Sequence, residues 1–303
     1  MDVIAGWVVK LQSGFYTVQT DEGTYTCHLR GRLKRTRFLG DFLAVGDHVQ
    51  ISRQTADTGM IEEIEPRKRA LVRLSPSPRG DYQQILLANV DQIGLVFACA
   101  QPDPHLRMLD RFLVIAEKQG IPAFIVANKV DLVGLEAAKA RFDLYEDLGY
   151  PVLYTSTVLG MGIDALHDRL HGQISGLAGP SGVGKSSLLN TVQPALGLAV
   201  REVSDATAKG RHTTVVRQMF ALYDGGYVVD LPGLRALALW DTEPEELDGY
   251  FPELRPLVQQ CQYNDCSHQN DPGCAVRAAV EAGTVHADRY QSYLRMRYGE
   301  EEE

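Results

Sequence analysis

GLAGPSGVGKSSLLN, residues 176–190, joins a short apolar run to a helix-forming one through a glycine-rich loop. Gly179, Pro180, Ser181, Gly182, Val183, Gly184, Lys185 and Ser186 fit the pattern G-x-x-x-x-G-K-[ST], with Ser187 beside them in the helix start. The glycines let successive backbone N–H groups turn inward around a β-phosphate. Lys185 adds a mobile positive charge toward the β and γ groups, and Ser186 offers a hydroxyl to magnesium. The helix N-terminus beneath favours the anion further. Such a loop sits between a strand and a helix of an α/β sheet, but the pattern serves ATP enzymes as well as GTP enzymes.

Toward the N-terminus, IPAFIVANKVD (residues 121–131) ends an apolar strand on Asn128-Lys129-Val130-Asp131. That loop position faces ligand in an open α/β sheet. Asp131 can accept two hydrogen bonds from a guanine ring N–H and exocyclic amine, Lys129 can pack on the base, and Asn128 can tie the segment to the phosphate loop. Adenine lacks that donor pair and would leave a buried carboxylate unpaired, which separates the two bases by up to roughly 10⁴-fold. Tyr154-Thr155-Ser156-Thr157 follows the next apolar run and resembles a base-supporting loop, with Ser156 as its contact and Thr157 where GTPases usually carry alanine.

Toward the C-terminus, Asp230-Leu231-Pro232-Gly233 closes the strand YVVD. Asp230 can hold magnesium, directly or through water, and the Gly233 N–H can meet a γ-phosphate. Between the phosphate loop and Asp230, Gly210-Arg211-His212-Thr213-Thr214 stands where a first switch belongs, and one of Thr213 and Thr214 is expected to complete the magnesium shell. Leu234 follows Gly233, where many GTPases carry the glutamine that orients the attacking water. An apolar side chain cannot do that, so His212 is the candidate for positioning water, with Arg211 as the rival. The order is rotated: an ordinary GTPase domain runs phosphate loop, switches, then base-reading loop. Here the base-reading segment comes first, and the second switch lies against whatever follows it.

Apolar runs alternate with helical stretches from Asn89 to about Trp240, which predicts an α/β domain with a largely parallel sheet covered on both sides. Before it, residues 3–65 read as five short strands separated by turn signals, which suits a small barrel of the OB type. A basic run, HLRGRLKRTR (residues 28–37), falls between the third and fourth strands, and EPRKRALVRLSPSPRG (residues 65–80) reads as a linker that can touch polyanion. The chain carries a net charge of −9, yet residues 1–73 hold 11 Lys and Arg against 9 Asp and Glu, leaving −11 for the remainder. The closing Glu300 to Glu303 reads as a disordered acidic tail.

After Trp240 the expected strands stop. Cys261-x4-Cys266-x-His268-x5-Cys274 supplies three thiolates and an imidazole, a set that suits a closed tetrahedral structural zinc. Cys27 and Cys99 stand apart in strand-like surroundings as small core residues. The expected domains are an OB-fold RNA-binding unit at 1–70, a circularly permuted GTPase domain at 71–240 and a helical zinc-binding domain at 241–303. No apolar stretch is long enough to span a bilayer and no signal peptide is recognisable, so a cytoplasmic protein is expected.

Together, the barrel, the order NKVD, GPSGVGKSS, GRHTT, DLPG and the Cys3His spacing resemble the circularly permuted ribosome small subunit-dependent GTPase A family over nearly the whole chain. The resemblance implies a late assembly factor, acting as a monomer, that binds the small ribosomal subunit and its rRNA and hydrolyses GTP when stimulated by it. GTP or GDP with magnesium and one structural zinc are its implied cofactors. Val215 stands where the family often has a third threonine. Two other classes fit parts of the pattern: a phosphotransferase, which would leave Asn128 to Asp131 unexplained, and an RNA-binding scaffold that holds GTP without turnover.

Overall fold

The computed structural model describes residues 3–12, 14–31, 33, 41–75, 82–198, 218–231 and 242–299. Five strands, β1 (Val3–Gln12), β2 (Phe15–Thr20), β3 (Gly23–Leu29), β4 (His48–Arg53) and β5 (Thr58–Ile64), close into a barrel in the order β1-β2-β3-β5-β4. Alternation drives it: Tyr25 and Cys27 of β3 point into a core with Val8, Val18, Val49, Ile51 and Ile61, while Thr24, Thr26 and His28 point out. Gly6 is required where β1 crosses β2, because a Cβ there would lie 2.6 Å from the Gln19 carbonyl oxygen.

The stretch expected as a linker holds more structure than its prolines and charges signalled. β6 (Ala70–Ser75) pairs antiparallel with β7 (Tyr82–Ala88), with Leu71 opposite Leu87 and both fully buried. The partner strand lies beyond the Pro-rich segment, so the local composition misled.

The central sheet has six strands in the order β10-β9-β8-β11-β13-β12: β8 (Gln92–Ala98), β9 (Ala123–Asn128), β10 (Val152–Thr155), β11 (Ile174–Ala178), β12 (Met219–Ala221) and β13 (Tyr227–Asp230). All neighbours are parallel except β12, which runs antiparallel to β13. Every residue of β8 and β11 is buried, as a sheet covered on both faces demands. One face carries Leu95, Phe97 and Ile125 against α1 (Leu106–Lys118), through Leu109, Phe112 and Leu113, and against α2 (Leu135–Asp147), through Phe142. The other carries Val96, Phe124 and Val126 against α3 (Ile163–Leu170) and α4 (Lys185–Val192), through Leu166, Leu170, Leu188 and Leu189. The barrel meets this sheet at its β12 edge, where Lys10 bridges Gln218 and the Trp7 ring lies between His48 and Tyr227.

The C-terminal segment is helical: a 3-10 turn at Pro244–Tyr250, then α5 (Arg255–Val258), α6 (Ala275–Glu281) and α7 (Ala287–Tyr298). Its small core of Leu247, Phe251, Leu254, Val276 and Tyr293 takes in Val114 from α1. A buried charge network crosses the same boundary. The Arg289 guanidinium of α7 donates to Asp110 of α1 at 2.6 Å and to Glu253 at 2.7 Å, and the Tyr145 hydroxyl donates to Asp110 at 2.9 Å.

Candidate functional site

Two loops at the C-terminal ends of strands in the central sheet are clamped together. β9 ends on Asn128, 2 % exposed, whose amide Nδ2 donates to the Val183 carbonyl of the phosphate loop at 2.8 Å. The Thr155 hydroxyl, at the end of β10, donates to Asn128 Oδ1 at 3.0 Å and so fixes which way the amide points. Lys129 follows in a left-handed conformation, φ 61°, and its ammonium reaches the Gly182 carbonyl at 2.7 Å and the Gln101 carbonyl. Burial lowers the Lys129 pKa from its ordinary value, and the neighbouring Asp131 opposes that shift. The Ser156 hydroxyl donates to Asp131 Oδ1 and accepts from the Leu159 N–H, so the carboxylate expected to read the base is held from behind. Val130, 2 % exposed, anchors the segment in the sheet core.

The phosphate loop leaves β11 at Ala178. A Cβ at Gly179 would lie 2.0 Å from the Val96 carbonyl oxygen, and one at Gly184, φ 95°, would lie 2.5 Å from Asn128 Nδ2. Both glycines are therefore set by close approach, the second by the base-reading segment itself. Pro180 and Val183 are buried and seat the loop, Ser181 is exposed, and Lys185, Ser186 and Ser187 form the first turn of α4. The Lys185 ammonium folds back onto the Gly179 and Pro180 carbonyls at 2.9 and 3.0 Å.

Asp230 ends β13 on the far side of β11, with its Oδ1 buried and without a hydrogen-bond partner among the described residues. Burial raises its pKa above the ordinary carboxylate value and Lys185 pulls it back, while burial lowers the Lys185 pKa and Asp230 opposes that. A buried oxygen with no donor is costly unless a cation meets it, so this site fits a magnesium ion beside Ser186. His212, Thr213, Thr214 and Gly233, with Arg211 and Leu234, lie outside the described residues.

In the C-terminal segment, the ligand atoms of Cys261, Cys266, His268 and Cys274 lie within 4.8 Å of one another. His268 Nδ1 stands 3.6 Å from Cys261 Sγ and 3.4 Å from Cys274 Sγ. Those separations match the roughly 3.5 Å edge of a tetrahedron with zinc bond lengths. The opposite nitrogen, His268 Nε2, lies 3.1 Å from Asp248 Oδ2, an arrangement that leaves Nδ1 free to ligate. Burial and the adjacent thiols push the Cys266 thiol up to about 12, so three thiolates here call for a cation. Sequence reasoning missed Asp248, which stands 20 residues before His268 with no spacing rule to mark it. It also missed the role of Thr155, whose hydroxyl acts on a residue 27 positions away.

This chain is similar to known proteins over almost all of its length. A family model described as RsgA GTPase matches residues 64–240, and one described as RsgA N-terminal domain matches residues 5–61. A small ribosomal subunit biogenesis GTPase RsgA from Gemmatimonas aurantiaca is 48% identical over 295 residues, covering 96% of each chain. Its counterpart from Moorella thermoacetica is 43% identical, covering 95% of this chain and 94% of the relative. Among solved structures, YjeQ from Thermotoga maritima superposes with a TM-score of 0.79 at 37% identity over 98% of both chains. YloQ, described as a circularly permuted GTPase, gives 0.74 at 30% identity over 98% of this chain and 95% of that one.

Proposed function

The chain belongs to the RsgA GTPase family and is a GTP hydrolase, and we propose that it binds the small ribosomal subunit through rRNA and hydrolyses GTP in maturing it. The observation that carries the nucleotide reading is the Asn128–Val183 bond, which joins a guanine-type segment to a phosphate-type loop in one rigid unit. In this reading Asp131 pairs with the guanine edge, the Lys129 stem covers the base face, and Ser156 holds Asp131 in place. Gly179 through Ser187 cradle the phosphates.

A bound magnesium would supply positive charge to offset the charge that develops on the phosphates as the γ-phosphoryl group leaves. Ser186, Asp230 and one of Thr213 and Thr214 would hold it, and the Gly233 N–H would meet the γ-phosphate. Lys185 leaves the loop carbonyls for the incoming phosphates, exchanging neutral acceptors for charged ones. Water attacks the γ-phosphorus, the bond to the β-phosphate oxygen breaks, and GDP and phosphate form. We assign the positioning of that water to His212, with Arg211 as the alternative. The Cys3His cluster holds a structural zinc. The reading places a monomer in the cytoplasm; among the described residues no helix is long and apolar enough to cross a membrane.

The test is GTP turnover with and without purified small subunits at two salt concentrations. Stimulation that falls steeply with salt is expected, because phosphate contacts release counterions. Equal rates with and without subunits remove the ribosomal reading. His212→Ala is expected to lose the stimulated rate while keeping nucleotide affinity, and an unchanged stimulated rate removes that assignment.

A further inference from the structure

A cleft of about 620 Å³ opens between α1, α2 and α7, and none of the described nucleotide-site or metal-cluster residues lines it. Its floor is built. Arg289, 1 % exposed, is paired with Asp110 and Glu253 and lies over the Phe251 ring at 4.6 Å, while Ser292 and Tyr145 donate to the same Asp110. The floor therefore sets two carboxylates against one guanidinium and keeps one negative charge, whereas the rim carries an excess of positive charge that outweighs it by one.

Among the described residues, Arg107, Arg141 and Arg295 line the rim together with one carboxylate, Asp288, so its lining holds two more cationic than anionic side chains in a chain that carries −9. Arg141 is steadied by a 2.8 Å bond to the Cys99 carbonyl. His105 and His286, the residues just before α1 and α7, also line the cleft, so the N-terminal turns of two long helices add their positive ends to it. Guanidinium groups favour phosphate oxygens, which they can meet with two parallel bonds. Among the described residues, Tyr145 is the one Phe, Tyr or Trp that lines the cleft, 1 % exposed with its hydroxyl engaged below. With none of these rings exposed to stack a base, the cleft has the chemistry of backbone binding and not of sequence reading.

We propose that this cleft docks the phosphodiester backbone of RNA, independently of sequence. Its biological partner rests on the ribosomal reading above, while its chemistry does not. Docked RNA would touch α1 and α7 together and so bear on both sides of the boundary between the GTPase sheet and the C-terminal helices.

The experiment uses the full chain with its metal, comparing the parent with Arg107→Glu/Arg295→Glu against a short labelled RNA duplex and against small subunits over a range of salt. The expected result is duplex binding weakened roughly tenfold or more, with the slope of log affinity against log salt reduced by about 0.7–0.9 for each phosphate that is no longer neutralised. Basal GTP turnover should stay that of the parent. The double variant Arg107→Lys/Arg295→Lys should keep most of the slope, which separates charge from packing. Duplex affinity and slope unchanged in the reversed variant would overturn the cleft. So would displacement of the duplex by inorganic phosphate at millimolar concentration, which would make a free anion the ligand. A parent that ignores small subunits but loses duplex binding on reversal would sink the ribosomal reading and leave the cleft standing. Small subunits bound equally well by parent and reversed variant, with duplex binding also unaffected, would overturn the cleft and leave the ribosomal reading standing.

Discussion

The two ends of the proposed nucleotide site are built differently. At the base end the polar side chains are already engaged: Thr155 on Asn128, Asn128 on Val183, Ser156 on Asp131. At the phosphate end, Lys185 is folded onto its own loop and Asp230 Oδ1 has no partner among the described residues. The base end is thus preorganised, and the phosphate end takes its final arrangement from the ligand. A base site serves GTP and GDP alike, so rigidity there cannot distinguish them. The γ-phosphate end has to differ between the two, and uncompensated groups are what a ligand can reorganise.

Asp131 is where this asymmetry is most exposed to test. Asp131→Asn replaces an acceptor pair with an amide and should weaken GTP and GDP equally, by about 10²–10⁴-fold, because both present the same guanine edge. Titration of both nucleotides checks it; a loss confined to GTP would mean that the base end also senses the γ-phosphate. Next in size is Asp230→Asn, which should lower kcat by roughly 10²–10³-fold while changing GDP affinity far less. Equal losses for both nucleotides would erase the distinction between the two ends. Thr155→Val leaves the Asn128 carbonyl oxygen without its donor in a buried setting and should cost about 1–2 kcal/mol of stability, seen in denaturant unfolding. It should also weaken both nucleotides in parallel.

The smallest effect concerns Asp230 in the nucleotide-free protein. Its folded pKa is raised by burial, so the folded state holds the proton more tightly than the unfolded chain. Its contribution to stability is therefore fully present below the unfolded carboxylate pKa and is lost as pH rises through the raised folded value. Asp230→Asn should remove that decline and, at neutral pH, raise Tm by roughly a degree or two in the absence of nucleotide. A variant less stable than the parent at neutral pH would show that Asp230 is compensated by a group outside the described residues.

Where the chemistry demands fixed local spacing, the sequence was readable. Gly179 to Ser186, Asn128 to Asp131 and the Cys3His set are each read within a few residues, and the structure brings the described ones to two compact places. The barrel was legible for a related reason: its strands are short and bounded by turn residues such as Gly14 and Gly23, both at positive φ. What failed to show were pairings between distant residues. β6 hides in a proline-flanked basic stretch because its partner β7 follows the interruption. Asp248 has no local relation to His268, and Asp110 none to Arg289, since side-chain burial and charge pairing are properties of the packed molecule. Nothing in either residue's neighbourhood announces the other.

The Asp110–Arg289 pair has a consequence for how the chain is made. The two residues are 179 apart, and Asp110 sits in the helix that packs on the central sheet. During synthesis, α1 leaves the ribosome long before α7 exists, and until α7 arrives Asp110 and Glu253 lack their buried counter-charge. Without α7, Asp110 loses both its counter-charge and its cover, and α1 lacks the contacts that join it to the C-terminal helices. The pairing that ties α1 to the C-terminal helices is therefore made late in synthesis. Chains that stop before Arg289 should be less resistant to denaturant than the full sequence, with α1 the element most affected.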